Sequence, residues 1–389
     1  MRCYATIPDF IHDLTGITAL DGLPLNTFGF MLAVSIIIAA VVLSKEVRRK
    51  EKLGLFHPQI KTVWKGKPAT PTELIIQGII GFIIGFKLLG GLLNLESCKA
   101  NPQDFIFSSQ GNFFGGIILA LAFAGFRYYE KNKTKLAQPV EEKIQIWPHD
   151  LIGDIALIAA LAGVIGAMIF HNIEYWDTFL EDPIGAITSF SGLTIYGGLI
   201  IGSAAVIVYA MRNKISVIHL ADAAAPTLIL AYGIGRLGCF FSGDGDWGIE
   251  NLHPQPGWLS FLPEWTWAYH FPHNVNHEGI AIAGCTEKYC TALEIPAYPT
   301  MIYETVMCLL IFFFLWRMRK RIQIPGMIMA FYLMLNGVER FLIETIRVNP
   351  RYDVLGIHAS FAQLIAILFF AGGIALAWFS FRRYRQKAV

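Results

Sequence analysis

The sequence predicts an all-α, polytopic helical membrane protein of about nine transmembrane helices, N-terminus outside and C-terminus in the cytoplasm. Three observations carry this expectation. Of 389 residues, 54% are hydrophobic and only 15% charged, whereas soluble domains carry about 25% charge. Mean hydropathy is +0.50, and apolar stretches of helical length recur along the whole chain. Lysine and arginine collect in alternate connections, as in a chain threaded through a bilayer.

The start, from Met1 to Asp9, has no apolar core directly behind it, so it does not read as a secretory signal, and Cys3 does not read as a lipid-modified cysteine. The first apolar segment, 26–44, stops at the basic block Lys45-Glu-Val-Arg-Arg-Lys-Glu-Lys52. The connection 45–67 holds eight Lys and Arg. Further apolar segments follow at 72–94, 111–129, 151–171, 191–211, 220–242, 298–316, 325–346 and 358–380. The connections 127–150, 212–214 and 317–321 and the tail 382–387 are also basic, whereas the alternate connections carry only Arg2, Lys99, Lys288 and Arg351. The positive-inside rule puts the basic set in the cytoplasm.

The largest outer loop, about 244–297, is rich in Trp, Pro, His and Tyr. It reads as a folded cap at the interface, where amphipathic rings are favoured. No linker, heptad or low-complexity tract divides the chain, so residues 1–389 read as a single membrane domain. The net charge of +2 says little, because the distribution of charge matters more than its sum. Six cysteines are scattered without a Cys-x-x-Cys. Cys285 and Cys290 share one outer loop. They can pair if it faces an oxidising compartment and are otherwise two free thiols.

The run Tyr232-Gly-Ile-Gly-Arg236-Leu-Gly-Cys239-Phe-Phe-Ser-Gly-Asp244-Gly-Asp246-Trp247-Gly248 is the most informative in the chain. It begins inside an apolar segment and ends in a Gly/Asp-rich loop. Ionisable groups at membrane depth cost about 2.5–3.5 kcal/mol each on insertion scales, so Arg236 is a functional candidate. Its planar fork can hold two phosphate oxygens, and the flanking glycines allow close backbone approach. The competing reading is an arginine whose head reaches back to the interface.

A second candidate is Asn336-Gly-Val-Glu339-Arg340-Phe-Leu-Ile-Glu344-Thr-Ile-Arg347, where Arg340, Glu344 and Arg347 fall on one helix face. Glu344 is expected to orient Arg340 toward the phosphate that Arg236 binds. The plainer reading is a self-satisfied ladder of ion pairs. A third is Ser191-Gly-Leu-Thr-Ile-Tyr196-Gly197-Gly198, which sets a phenol beside open backbone or, more plainly, an aromatic-belt tyrosine beside packing glycines. His270, His273 and His277 have metal-like spacing, but no further ligand completes them and they read as loop histidines. There is no phosphate-binding glycine loop, zincin helix or Gly-x-Ser-x-Gly, so no cofactor, metal or nucleic-acid partner is expected.

These residues resemble the bacterial prolipoprotein diacylglyceryl transferases. That family's long signature appears as Gly235-Arg236-Leu-Gly238-Cys239-Phe, Gly243-Asp244 and Trp247-Gly248. Its Ser-Gly-x-x-x-His-Gly-Gly appears as Ser191-Gly-Leu-Thr-Ile-Tyr196-Gly-Gly, its Pro-Thr-x-x-Tyr-Glu as Pro299-Thr-Met-Ile-Tyr303-Glu304, and its Arg-Phe-x-x-Glu-x-x-Arg as Arg340-Phe-Leu-Ile-Glu344-Thr-Ile-Arg347. The likeness covers about 20–45 and 150–380, and 72–130 reads as an added two-helix hairpin that preserves topology.

The resemblance implies transfer of the diacylglyceryl group of phosphatidylglycerol to the lipobox cysteine of a prolipoprotein signal peptide, in the bacterial inner membrane. It implies lipid binding by Arg236, Gly235, Gly238, Cys239 and Gly248, and catalysis by Arg340, Glu344, Tyr196 and Asp244, among membrane lipids and without a cofactor. Tyr196 stands where the family has histidine, Cys239 where many members have asparagine, and Asp244 is shorter than glutamate. The run from Gly243 to Trp247-Gly248 is one residue longer than the family's, Phe28 replaces an early tyrosine, and Asn336 replaces the tyrosine one turn before Arg340. The thiol proton therefore has three candidate acceptors: Asp244, Tyr196 and the phosphate itself. The alternative is a catalytically altered relative that binds or moves lipid.

Overall fold

The computed structural model describes every residue except 1, 20–22, 24, 96–104, 106–107, 109, 189–193, 349–351, 355–356 and 389. It is built of α1 (Ile7–Thr15), α2 (Thr27–Lys52), α3 (Pro71–Leu93), α4 (Phe113–Lys133), α5 (Ile152–Glu174), α6 (Trp176–Glu181), α7 (Pro183–Thr188), α8 (Ile195–Arg212), α9 (Val217–Ser242), α10 (Thr300–Met318), α11 (Met327–Glu344) and α12 (Phe361–Ala388). Three short antiparallel ribbons join them: β1 (Gln59–Lys65) with β2 (Val140–Ile146), β3 (Ile280–Ala281) with β4 (Thr291–Ala292), and β5 (Tyr352–Val354) with β6 (Ile357–Ala359).

Among the described residues, six helices are long and apolar enough to cross a membrane: Thr27–Lys52, Pro71–Leu93, Pro148–Glu174, Val217–Ser242, Thr300–Met318 and Phe361–Gln386. The chain is thus a polytopic helical membrane protein. The helices α4, α8 and α11 also lie on expected apolar segments, but α8 is shorter in its apolar part and α11 carries the charged face of Arg340.

Two boundaries move outward. The helix α2 runs through the basic block to Lys52, and α12 runs through the basic tail. Lys, Arg and Glu are good helix formers, and the block satisfies its own charge when Arg49 donates to Glu46 at 2.6 and 2.9 Å.

The chain divides into two units, 57–214 and 1–56 with 215–389. In the first, α3 and α4 form a hairpin through small residues. A Cβ on Gly81 or Gly85 would collide with the backbone of α4, and one on Gly115 with Leu89 and the Gly85 carbonyl. Van der Waals packing replaces the hydrophobic effect where lipid is the solvent, so close backbone approach is what holds such a pair. Lys87 closes the hairpin by donating to the carbonyls of Phe105 (2.9 Å), Ser108 (2.5 Å) and Gln110 (2.8 Å). The helices α5 and α8 pair in the same way, with Gly163 and Gly166 against Gly197 and Gly198.

In the second unit, α9 packs against α2, α10 and α11. At one end Asp222 of α9 accepts from the backbone N–H of Gly326 (2.7 Å) and Met329 (3.0 Å), and so caps α11 from another helix. The fully buried Glu46 pairs with Arg319 at 2.8 Å, and Arg319 lies 3.3 Å from the Trp316 ring centroid. At the other end the cap, about 244–297, builds a core of its own. Phe240, Trp247, Tyr269 and Phe271 pack together with Cys3, Cys239, Ala297 and Met301. The cap is pinned to the N-terminal segment by Cys3 N–H to the Pro272 carbonyl at 2.8 Å. Cys285 and Cys290 form a disulfide. The ring nitrogens of His270 and His273 meet the carbonyls of Leu293 and Tyr289, both at 2.8 Å, and His277 stacks on Tyr289.

Gly85→Leu is expected to separate α3 from α4 at a cost of about 1–3 kcal/mol, the range for overpacking. A lowered thermal midpoint in detergent checks it, with lipid-facing Ile83→Leu, 58% exposed, as the unaffected control.

Candidate active site

The site sits where α9 runs out into the cap. The helix ends at Gly243, whose φ of 64° lies in the left-handed region that glycine enters freely. The chain then turns back, so that Asp246 faces the last turns of the helix it has just left. Arg236 is 6% exposed and forms ion pairs with Asp246 and with Glu304 of α10. Its guanidinium also donates to the second Glu304 oxygen at 3.2 Å and to Cys239 Sγ at 3.6 Å. A buried guanidinium requires an anion, and in this chain two carboxylates supply it.

Glu304 is the centre of the cluster. It is fully buried and also meets Arg347 at 3.3 Å, Arg340 at 3.7 Å and the Tyr232 hydroxyl at 2.7 Å. Asp246 bridges Arg236 and Arg347. The expected Arg340–Glu344 pair forms at 3.3 Å. Arg347 reaches the cluster by a different route from the continuous helix face that the spacing suggested. The helix α11 ends at Glu344, and Arg347 is placed by an antiparallel bridge to Gly248. Reachability is graded: the side chains of Asp246 and Arg340 are 32% and 23% exposed, those of Arg347 and Arg236 only 9% and 7%.

The glycines divide the work. At Gly248 a Cβ would lie 2.6 Å from the Ile346 carbonyl and 2.9 Å from both Thr300 and Tyr298, so only glycine lets the loop thread between α10 and the segment bearing Arg347. There Thr300 Oγ1 donates to the Asp246 carbonyl at 2.8 Å, which fixes the loop. Gly238 packs against Met31 and Phe28 of α2. Gly235 has no neighbour within 4 Å of where its Cβ would be and leaves the backbone beside Arg236 open.

Asp244 and Asp246 sit two residues apart in opposite environments. Burial and the neighbouring charge of Asp246 push the Asp244 carboxyl above its ordinary value. Burial raises Asp246 too, but Arg236 and Arg347 outweigh it and hold its carboxyl below the usual range. Cys239 Sγ and carboxylate oxygens of both aspartates lie within 4.8 Å of one another. Tyr196 belongs to the unit 57–214, half-buried at the start of α8. The backbone beside it is closed, because Gly197 and Gly198 are taken up in packing on α5. Residues 191–193 of its motif lie outside the described residues.

Arg347 lay in the second candidate run and Glu304 in a matched motif, but neither they nor Asp246 and Tyr232 were assigned a role from sequence. Glu304 had a signal: it is the one acid in the apolar segment 298–316, and an ionisable group at that depth calls for a partner. Asp246 is indistinguishable from Asp244 until the loop folds back.

A profile of the prolipoprotein diacylglyceryl transferases matches residues 116–379, well over half of the chain. The chain belongs to this family. It is similar to a phosphatidylglycerol–prolipoprotein diacylglyceryl transferase of Corynebacterium glutamicum, 31% identical over 61% of this chain and 71% of the relative. It is also similar to transferase 2 of Clostridium perfringens, 29% identical over 59% and 78%, and to the transferase of Streptococcus equi subsp. zooepidemicus, 31% identical over 62% and 82%. The match spans the Arg236, Glu304 and Arg340 motifs and begins inside α4, after the whole of α3.

Glu304→Gln removes the central charge while keeping its shape, and is expected to cost about 3–5 kcal/mol because three arginines lose a shared partner. A denaturation series in detergent measures it. The folded-state pKa of Asp246 is below its unfolded value, so its stabilisation is complete above the ordinary aspartate value of 3.8 and is lost as pH falls through the lowered one. Asp246→Asn should therefore flatten the acid limb of a stability–pH curve, while Asp244→Asn should not.

Proposed function

We propose that the chain transfers the diacylglyceryl group of phosphatidylglycerol to the lipobox cysteine of prolipoproteins in the bacterial inner membrane, the first step of lipoprotein maturation. Family membership supports the reaction, and the Arg236–Glu304–Arg340–Arg347 cluster is the observation that carries the chemistry. The cysteine sulfur attacks the glycerol carbon that bears the phosphate ester. The carbon–oxygen bond breaks, its electron pair leaves with glycerol phosphate, and the thiol proton must find a base.

Arg236 and Arg340 serve as the phosphate-binding pair. Each is held in place by a carboxylate before lipid arrives, so its donors are already ordered when charge develops on the leaving oxygen. Gly235 and Gly238 let the headgroup approach and Gly248 sets the loop. Glu344 orients Arg340, and Cys239 lines the floor beside Arg236. Asp244 is our first choice of base. Its raised pKa makes it a better proton acceptor than an ordinary aspartate, and a carboxylate can both take the proton and stay close to the sulfur site. Tyr196 and direct transfer to phosphate are the remaining routes for the proton. Transfer is favoured over a lipid-binding or lipid-moving role because the basic and acidic groups converge on one buried carboxylate at one end of α9, whereas a transporter places such groups near the midplane.

The nine long helices are proposed to cross the membrane with the N-terminus outside and the C-terminus in the cytoplasm. The chain then acts as a single membrane domain, 1–389, with 72–130 an added hairpin and 244–297 an outer cap. The disulfide in that cap fits an oxidising compartment.

Arg236→Ala is expected to abolish transfer of labelled diacylglyceryl to a lipobox peptide. Normal transfer by that variant would remove Arg236 from the site. Asp244→Asn should lower turnover by about 100-fold or more, the usual contribution of a general base, with lipid binding retained. If Tyr196→Phe keeps full activity, the phenol plays no part in proton transfer.

A further inference from the structure

The cap carries one segment that neither its own core nor the ion cluster uses. Between Asn251 and Pro263 the chain reads Asn-Leu-His-Pro-Gln-Pro-Gly-Trp-Leu-Ser-Phe-Leu-Pro, with no Asp, Glu, Lys or Arg. Leu252, Trp258 and Phe261 are 76%, 75% and 77% exposed. The other tryptophans of the cap are buried or half-buried. Trp247 is 7% exposed, Trp265 packs on Phe240 at 5.6 Å, and Trp267 Nε1 donates to the His253 carbonyl at 2.9 Å.

The loop is rigid at its root. Asn251 is 1% exposed, and its amide donates to the Trp267 carbonyl at 2.7 Å. Some of its backbone groups are satisfied from within. Gln255 Nε2 donates to the carbonyls of Leu259 (2.9 Å) and Leu262 (3.1 Å). Leu259 N–H reaches the Pro256 carbonyl at 2.8 Å, Ser260 Oγ the Gly257 carbonyl at 2.8 Å, and Leu262 N–H the Leu259 carbonyl at 2.9 Å. Three prolines, Pro254, Pro256 and Pro263, remove three donors altogether.

We propose that the loop 252–262 is a membrane-insertion wedge that sinks Leu252, Trp258 and Phe261 into the lipid at the cap end of the helices. Continuity with the lipid-facing surface argues for this occupant. The Tyr303 hydroxyl of α10 donates to the Thr266 carbonyl at 2.9 Å, and Trp267 stands edge-on to Tyr298, so the root of the loop is fastened to the start of α10. Along that helix Val306, Leu310 and Phe313 form an exposed apolar stripe, 51%, 64% and 63% exposed, on a segment long and apolar enough to span. The wedge holds the Gly248–Arg347 bridge, four residues before Leu252, at headgroup depth, where a phospholipid phosphate lies. Indole favours this boundary because one side is apolar and its N–H is polar. The proposal rests on the membrane character of the chain and stands or falls separately from its transfer activity.

The test uses the full chain in vesicles of phosphatidylcholine and phosphatidylglycerol, and reads tryptophan emission without turnover. The spectrum of Trp258→Phe subtracted from that of the parent isolates Trp258 among nine tryptophans. Its emission should be blue-shifted, largely lost when the acyl chains are brominated, and spared by iodide in the water. Phe261→Trp in the Trp258→Phe background should report the same, which separates insertion from a folding defect of either variant. Loss to iodide with indifference to brominated lipid overturns the proposal. So does a blue shift that appears only when a lipobox peptide is added, because the occupant is then the peptide.

Discussion

One buried carboxylate organises the functional half of this protein. Glu304 has no access to solvent, yet three guanidinium groups and a phenol converge on it from α9, from α11 and from the segment just after α11. A charge in that position is stable only while its partners stay, because an unpaired buried carboxylate costs several kcal/mol. The helices are therefore coupled through a point. Displacing α11 strips Arg340 from Glu304, and displacing the cap strips Arg347 and Asp246.

The rest of the second unit prevents such displacement. The helix α11 is fastened at both ends: Asp222 caps its first turn from α9, and Arg340 in its last turns meets Glu304 of α10. Glycine at 248 lets the cap loop lie against the segment of Arg347, and the aromatic core of the cap stops that loop from lifting. The arginines thus hold a fixed arrangement before any lipid binds. In the proposed reaction the phosphate meets three donors that are already aimed. That lowers the reorganisation needed as the phosphate ester breaks.

Much of this was readable in the chain. Hydropathy located every long helix, because burial in lipid imposes composition directly on sequence. The Arg340–Glu344 pair followed from i, i+4 spacing alone, since a helix fixes that geometry without reference to anything else. Glycine at 248 stood in a recognisable motif, though its reason, the carbonyl of Ile346, was invisible. The helix ends were misplaced at Ser44 and at 380, because hydropathy marks where lipid stops and says nothing of where the helix stops. Of the two readings of the Tyr196-Gly-Gly run, the plainer holds: the glycines are spent on packing.

The sequence by itself determined the membrane class, the helical segments, the motif set and the presence of arginines in need of anions. Each of these depends on composition or on spacing within one helix. Which anions those arginines meet was decided only by the tertiary structure. Asp246 and Asp244 are near-identical in sequence, but the left-handed turn at Gly243 sends one between two guanidinium groups and leaves the other beside Cys239. Glu304 acquires its role because α9, α10 and α11 bring charges 36 to 68 residues away in the chain to within 4 Å. Contacts at such separation follow from how helices pack, and no local pattern encodes them.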